Sequence, residues 1–309
     1  MSALPAANVS GPASAARTRA RPLGLGFLSL AGLTYVLVVL GALVRAHGAG
    51  LACPDWPLCF GEVIPEMDFK VAFEWGHRAL AGSVGLLFLA LGALTLRDPV
   101  AGPPLRLGLL LAAALLALQI VLGGLTVLEL LATWTVTSHL VTGNAFALSL
   151  VLLGRGLLRL DEDRLDQPSA SPSLRVAISL AGALLFVQIV LGGLVSSSYA
   201  GLVCPDWPTC MDGRFFPTFR GIQGLHVFHR TVGYSVVMAI AAAAWLSRHH
   251  PVVSRWLFAA AGLSVAQVAV GVLNVLWRLP VEITALHSAL AAALVCTIGV
   301  GLRESWREG

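Results

Sequence analysis

Eight long apolar segments recur along this chain of 309 residues. About 20 apolar residues in a helix span a bilayer, and lipid offers the backbone no hydrogen-bond partner, so every spanning segment must be helical. Only 12% of the residues are charged, whereas an ordinary soluble domain has about a quarter. We therefore predict an all-α integral membrane protein with eight transmembrane helices. The predicted spans are Leu23–Val44, Val71–Leu96, Leu107–Leu128, Thr133–Leu153, Leu174–Val195, Gly224–Leu246, Trp256–Leu276 and Glu282–Leu302.

The ends of the chain are expected outside the bilayer. Residues 1–21, rich in Ala and Ser, are predicted to form a disordered cytoplasmic N-terminus, and residues 304–309 a cytoplasmic tail. The first span is long and lacks a convincing cleavage site, so we expect a retained helix rather than a removable signal peptide.

The placement of basic residues predicts the orientation. With the N-terminus inside, thirteen Lys and Arg residues fall in the inner segments and four in the outer segments, which is the bias typical of cytoplasmic loops. Both termini are therefore predicted to be cytoplasmic. The net charge of +4 follows from this topology and gives no reason to expect a nucleic-acid partner.

Two loops predicted on the outer face repeat one another. Ala49–Cys59 reads AGLACPDWPLC and Ala200–Cys210 reads AGLVCPDWPTC, with nine of eleven positions identical. The spans repeat as well, since QIVLGGLTV begins at Gln119, QIVLGGLVS at Gln188 and QVAVGVLNV at Gln267.

These repeats divide the chain into two four-helix halves, residues 22–154 and 174–303, joined by a charged cytoplasmic linker at 155–173. Four spans return the chain to the side on which it started. We therefore expect two pseudo-symmetric four-helix bundles related by an axis along the membrane normal, a parallel internal repeat.

Five of the eight histidines lie in even-numbered spans, near the outer end of each span. They are His77, His139, His226, His229 and His287. Ionisable side chains at membrane depth are rare and usually face the interior of a bundle. An interfacial imidazole that reaches the headgroups would explain any single one equally well. Their recurrence at one depth in every even-numbered span favours a binding site.

We expect four of these histidines to form two facing pairs, His77 with His139 and His229 with His287, in the kind of bundle core that holds cofactors. Two imidazoles on opposed helices suit the two axial positions of a haem iron. Zinc takes four ligands, or three and a water, and usually includes Cys, Asp or Glu. Only Glu74 lies near the first pair and no carboxylate lies near the second, so we predict haem rather than zinc.

The first pair has a carboxylate beside it. Glu74 precedes His77 by three residues, a spacing that places both on one helix face. Such a carboxylate could accept protons released in an oxidation. The alternative is an interfacial glutamate paired with Arg78 or Lys70.

The second pair has another imidazole at the matching position. His226 precedes His229 by three residues, which leaves the ligand of the sixth span ambiguous. We favour His229 because a shared His-Arg dipeptide aligns it with His77. The two arginines of these dipeptides, Arg78 and Arg230, are interpreted either as partners of haem propionates or as anchors at the headgroups.

Four of the five cysteines lie in the repeated outer loops, Cys53 with Cys59 and Cys204 with Cys210. An extracytoplasmic setting favours a disulfide within each pair, and the CPDWP segment supplies a Pro-bounded turn between them. Each disulfide is interpreted as a staple that holds its loop as a lid. A redox role is the alternative, because a strained and exposed disulfide is labile. Cys296, in the last span, is interpreted as a packing residue.

Together, these motifs resemble the haem A synthase family. The resemblance is carried by GAGLACPDWPLC, EWGHR, TSHL, CPDWPTC, FHR and ALHS, which are distributed over the whole set of spans. It implies an oxidoreductase of the bacterial cell membrane, which oxidises the C8 methyl group of haem O to the formyl group of haem A by successive hydroxylation. The product is the cofactor of cytochrome oxidases.

The same resemblance implies a role for each site residue. His77 and His139 would be axial ligands of the substrate haem O, His229 and His287 axial ligands of a cofactor haem b, and Glu74 the essential carboxylate. The implied partners are a haem O synthase (the farnesyltransferase that supplies the substrate), cytochrome oxidase assembly, an unidentified electron acceptor and membrane lipid.

Two other functions fit part of the pattern. A b-type electron-transfer cytochrome would use all four paired histidines, but it gives no reason for the difference between Glu74 and His226. A membrane thiol–disulfide oxidoreductase would use the cysteines and leave the histidines without a role. The haem content of the extracted pigment distinguishes these classes.

Overall fold

The computed structural model describes residues 12–160 and 170–306, with side chains from residue 20 onward. Within these residues the chain forms eight α-helices and no β-strand. The helices are α1 (Pro12–Ala46), α2 (Phe69–Arg97), α3 (Gly102–Leu128), α4 (Thr133–Arg159), α5 (Pro172–Ser197), α6 (Gly221–Leu246), α7 (Pro251–Leu276) and α8 (Val281–Ser305).

All eight helices are long and apolar enough to cross a membrane, which confirms the eight predicted spans and a multi-pass membrane protein. Capping residues determine several of the ends. The Asp68 carboxylate accepts hydrogen bonds from the backbone N–H groups of Lys70 and Val71 at the start of α2, and Ser171 caps α5 just before Pro172. Proline at the first helical position lacks only a donor that a helix start leaves unpaired in any case.

Three boundaries correct the prediction from sequence. α1 begins at Pro12, so residues 12–21 are helical rather than disordered, because Ala and Arg favour helix and Pro is tolerated in the first turn. The connection between the halves is shorter than 155–173, because α4 continues to Arg159 and α5 begins at Pro172. α8 continues to Ser305, into the predicted tail. Residues 1–11, 161–169 and 307–309 lie outside the described residues.

The helices pack as two groups of four, each with its own apolar core. In the first group, Phe88 contacts Phe27 and Phe146 edge to face, with ring centroids 6.4 and 5.5 Å apart, and buried Leu150 belongs to the same cluster. The second group is centred on buried residues of α5 to α8 such as Ile240. α1 packs against α2 and α4 as α5 packs against α6 and α8, which is the arrangement that an internal repeat predicts.

The two groups meet through α1 with α8 and α4 with α5. The Tyr35 hydroxyl donates to the Ala289 carbonyl across this interface at 3.1 Å. At the end where α4 stops and α5 starts, called the linker face here, buried Glu304 of α8 forms ion pairs with Arg155 and Arg159 of α4. The opposite end carries the loops 47–68 and 198–220 and is called the loop face.

Candidate functional sites

Four histidines lie at one depth near the loop face, one on each even-numbered helix. Each of them is between the seventh and the ninth residue of its helix, so the four imidazoles share a level. His77 and His139 are close enough to interact electrostatically, and so are His229 and His287. The structure thus brings together the two pairs expected from the sequence.

A glycine on the preceding odd-numbered helix faces each of these imidazoles. In every pair, a Cβ atom added to the glycine would lie 3.0–3.2 Å from Cε1 of the imidazole, so a larger residue would push the ring away. The glycines therefore let each ring lie against the neighbouring backbone, which limits its position. The pairs are Gly41 with His77, Gly123 with His139, Gly192 with His229 and Gly271 with His287.

Glutamines one turn before these glycines contact two of the imidazoles. The Gln119 Nε2 atom is 3.3 Å from His139 Nε2 and also donates to the His139 carbonyl at 3.0 Å. The Gln188 Nε2 atom is 3.1 Å from His229 Nδ1. In α1 the equivalent position is Leu37. The repeated glutamine and glycine were visible in the sequence, but their contacts with the histidines were not.

The imidazoles fit a haem held between two axial ligands. The Nδ1 atoms of His77, His139 and His287 are buried and make no hydrogen bond within the described chain, although buried polar atoms are usually paired. Among the described residues, His, Cys, Asp and Glu side chains form no group of three or more that could hold a metal ion directly. Paired imidazoles with open ring nitrogens are the donor set that a porphyrin-bound iron takes.

Glu74 lies one turn before His77 and connects α2 to the first loop. One carboxylate oxygen accepts the Cys53 N–H at 2.9 Å, and the other accepts an N–H of Arg78 at 2.5 Å. The ion pair that the sequence offered as an alternative is therefore present, and its partner is Arg78. The carboxylate side chain is only 5% exposed.

Arg78 holds the first loop by its backbone. Its guanidinium donates to the carbonyls of Cys53, Asp55 and Leu58, at 3.2, 2.7 and 2.6 Å. These carbonyls lie within the disulfide-closed segment, so the loop folds around the planar guanidinium, whose fixed fork suits several acceptors.

Arg230 does the same in the second half. Its guanidinium donates to the carbonyls of Cys204, Asp206 and Thr209, at 2.6, 2.9 and 3.0 Å. Both arginines thus bind loop carbonyls, a role that the sequence did not predict, and their pairing with haem propionates stays a prediction. Sequence reasoning missed this role because carbonyl acceptors leave no trace in the side-chain pattern.

His226 takes the place of Glu74 in the second half. Its Nδ1 atom is 2.8 Å from the Ala200 carbonyl, to which it donates, and its Nε2 atom accepts from Arg230 Nε at 3.2 Å. Both ring nitrogens are thus engaged, and the residue is 4% exposed. These contacts favour His229, which faces His287, as the ligand on α6.

Both predicted disulfides are present, Cys53–Cys59 and Cys204–Cys210, and their cysteines are almost wholly buried.

The carboxylate of Asp55 accepts the backbone N–H groups of Gly61 and Phe60 at 2.8 and 2.7 Å. These hydrogen bonds, chiefly that of Gly61, hold the pKa of Asp55 below its ordinary value.

The arginine contacts predict that Arg78→Ala loosens the first loop alone. Charge-assisted hydrogen bonds of this kind contribute about 1.5–3 kcal/mol each, so their loss should expose Cys53–Cys59 to a reductant in solution. The measurement is the rate at which the reductant opens each disulfide. The freed thiols are trapped with an alkylating reagent and quantified by mass spectrometry.

Arg230→Ala is the matched control and should expose only Cys204–Cys210. Arg78→Lys should restore little protection, because a single ammonium cannot reach three carbonyls as a fork does. Equal exposure of both disulfides in either variant would contradict the assignment.

The fold and the sites define a class of polytopic helical membrane proteins, in which each of two four-helix bundles carries a facing histidine pair near one end. The chain belongs to a family within that class. It is the COX15-CtaA family, described as cytochrome oxidase assembly protein, whose model matches residues 26–72 and 66–298.

Three bacterial relatives each cover most of the chain. Heme A synthase of Shewanella oneidensis is 30% identical, over 86% of this chain and 91% of that protein. Heme A synthase of Methylobacterium radiotolerans is 30% identical, over 89% of this chain and 88% of that protein. Heme A synthase of Halalkalibacterium halodurans is 27% identical, over 88% of this chain and 93% of that protein. The residues matched by the family model extend over both halves of the chain.

Proposed function

We propose that this protein is a haem A synthase, which oxidises the C8 methyl group of haem O to a formyl group by successive hydroxylation. The observation that carries the proposal is the difference between two otherwise matched centres. Glu74 stands beside His77, whereas His226 stands beside His229. A chain with two equivalent electron-transfer centres would have no need of a carboxylate at only one of them.

The first half is the substrate site in this proposal. His77 and His139 would hold the iron of haem O and so keep the porphyrin close to Glu74. Oxidation of a methyl carbon releases protons as well as electrons, and a buried site needs a group that accepts them. The carboxylate of Glu74 is this acceptor, held in place by Cys53 N–H and Arg78.

The second half holds a haem b between His229 and His287 in this proposal. When bound, such a group supplies one-electron transfer. Gln188 contacts the His229 ring and keeps it in position. His226 and Arg230 hold the second loop over the site, and neither provides a carboxylate.

The proposed setting is the bacterial plasma membrane, with both termini cytoplasmic and the loop face outside. The excess of basic residues in the inner segments supports this orientation, and an extracytoplasmic loop face suits two disulfides. Haem O would arrive through the membrane from a haem O synthase, and haem A would pass to cytochrome oxidase assembly. The electron acceptor is a further, unidentified partner.

Co-expression of this chain with a haem O-producing farnesyltransferase tests the proposal. Haems extracted from the membranes are separated by chromatography and identified by mass. Haem A or its hydroxylated precursor is expected only when this chain is present. Unchanged haem O together with bound protohaem would identify a cytochrome, and a chain without haem would leave the thiol–disulfide oxidoreductase.

A further inference from the structure

The two repeated loops place their tryptophans differently. Trp56 and Trp207 occupy the same position of the CPDWP motif, and both backbones are held to the following helix by an arginine. The Trp56 ring lies on Gly124 of α3, where an added Cβ would be 3.1 Å from it. The Trp207 ring contacts α6 instead, where its Nε1–H donates to the Tyr234 hydroxyl at 3.0 Å.

The repeat explains this difference residue by residue. Gly124 in GGLTV matches Val272 in GVLNV, so α7 has a branched side chain where α3 leaves room for an indole. Tyr234 in HRTVGY matches Gly82 in HRALAG, so α2 has no hydroxyl to bind the indole N–H. Trp56 therefore bridges two helices, whereas Trp207 contacts the helix that already carries its loop.

Beneath Trp56, α2 and α3 are not closely packed. These helices contact one another less extensively than α6 and α7 do. Toward the linker face they meet, since a Cβ on Gly92 would lie 3.8 Å from Leu109. A Cβ on Gly85 would still be in ordinary contact with Leu116, at 4.0 Å, whereas one on Gly82, nearer the loop face, would meet nothing within 4 Å.

This opening, called the α2/α3 gap, is bounded by Gly82 on one side and Gly124 on the other. It lies beside the first histidine pair, because Gly124 follows directly after Gly123, which faces the His139 ring. The Nδ1 atoms of both His77 and His139 are buried without a hydrogen bond within the described chain. At the matching positions of the second half, Tyr234 and Val272 replace these glycines, and a cavity of about 430 Å³ beside the second loop is lined by Tyr234, Arg230 and Met238.

Building on the proposed function, we propose that haem O enters and leaves its site from the bilayer through the α2/α3 gap, and that Trp56 closes the gap during turnover. The gap opens among lipid-facing side chains, so the farnesyl tail of haem O can remain in the apolar part of the bilayer during entry and exit. Closure by Trp56 keeps the hydroxylated intermediate in place until the second oxidation. The second half needs no gate because its haem does not turn over.

Blocking the gap is the first test. Gly82→Tyr introduces the residue of the second half at a position with open space, so the helix should fold. The purified variant, incubated with haem O in detergent micelles, is expected to lose haem O loading and to keep its protohaem. Gly262→Tyr is the control, because Gly262 is an exposed helical glycine of α7 with equally open space, and it should load normally.

Opening the gate is the second test. Trp56→Ala and Gly124→Val both remove the indole from α3, and both should raise the ratio of hydroxylated precursor to haem A several-fold, because the intermediate escapes. Trp207→Ala should leave the ratio unchanged. Normal loading of Gly82→Tyr, or an unchanged ratio in both gate variants, would overturn the proposal. A wild-type protein that loads haem O but never oxidises it would instead overturn the proposed function, and the loading test would still decide whether the gap is used.

Discussion

Glu74→Gln is expected to lose conversion of haem O to haem A while retaining both haem sites. In the wild-type protein, a carboxylate oxygen of Glu74 accepts the hydrogen bond from the Cys53 N–H at 2.9 Å. The amide oxygen of glutamine can accept the same hydrogen bond, so the loop should stay in place. It cannot accept a proton, and loss of a positioned general base typically costs about 10²–10⁴-fold in rate. The measurement is haem A formed per folded chain, with protohaem content as the measure of folding.

Another buried, ion-paired glutamate provides the control. Glu304 lies at the linker face, away from the histidines, and pairs with Arg155 and Arg159. Glu304→Gln should lower stability, because breaking a buried ion pair costs about 3–5 kcal/mol, yet each folded chain should convert haem O normally. Wild-type conversion by Glu74→Gln would show that Glu74 is only a loop anchor.

The spans, the histidine pairs and the disulfides could be predicted from sequence because each depends on a pattern that sequence records directly. Long apolar runs predict the spans, histidines near the outer ends of the even-numbered helices predict a common depth, and the two cysteines of each repeated loop predict a disulfide. The sequence offered Arg78 as a partner of Glu74, but it could not indicate the second partner, the backbone N–H of Cys53. Only the folded loop brings that N–H to the carboxylate.

The contrast between the two tryptophans could not be predicted from the motif, which is identical around both. It depends on residues of other helices, Gly124 against Val272 and Gly82 against Tyr234, and these positions become informative only when the helices are placed side by side. Similarly, the helical start at Pro12 followed from local propensity that a compositional impression of disorder overlooked.

His139→Ala is expected to abolish both haem O loading and haem A formation, and to leave the protohaem of the second half in place. The substitution removes one of two axial ligands in the first half, and Gln119, which contacts His139, cannot replace an imidazole on iron. His287→Ala is the reciprocal variant and should lose protohaem while haem O still loads. Haem extraction with separation by chromatography measures both pigments in one sample.

His226→Ala distinguishes a ligand from a neighbour of a ligand. Because both nitrogens of His226 are engaged by Ala200 and Arg230, this variant should keep its protohaem and the visible spectrum of a bis-imidazole haem, while its second loop loosens. Loss of protohaem in His226→Ala but not in His229→Ala would reverse the ligand assignment on α6. If His139→Ala still loaded and oxidised haem O, the substrate site would have to lie outside the first histidine pair, and the role of Glu74 would fail with it.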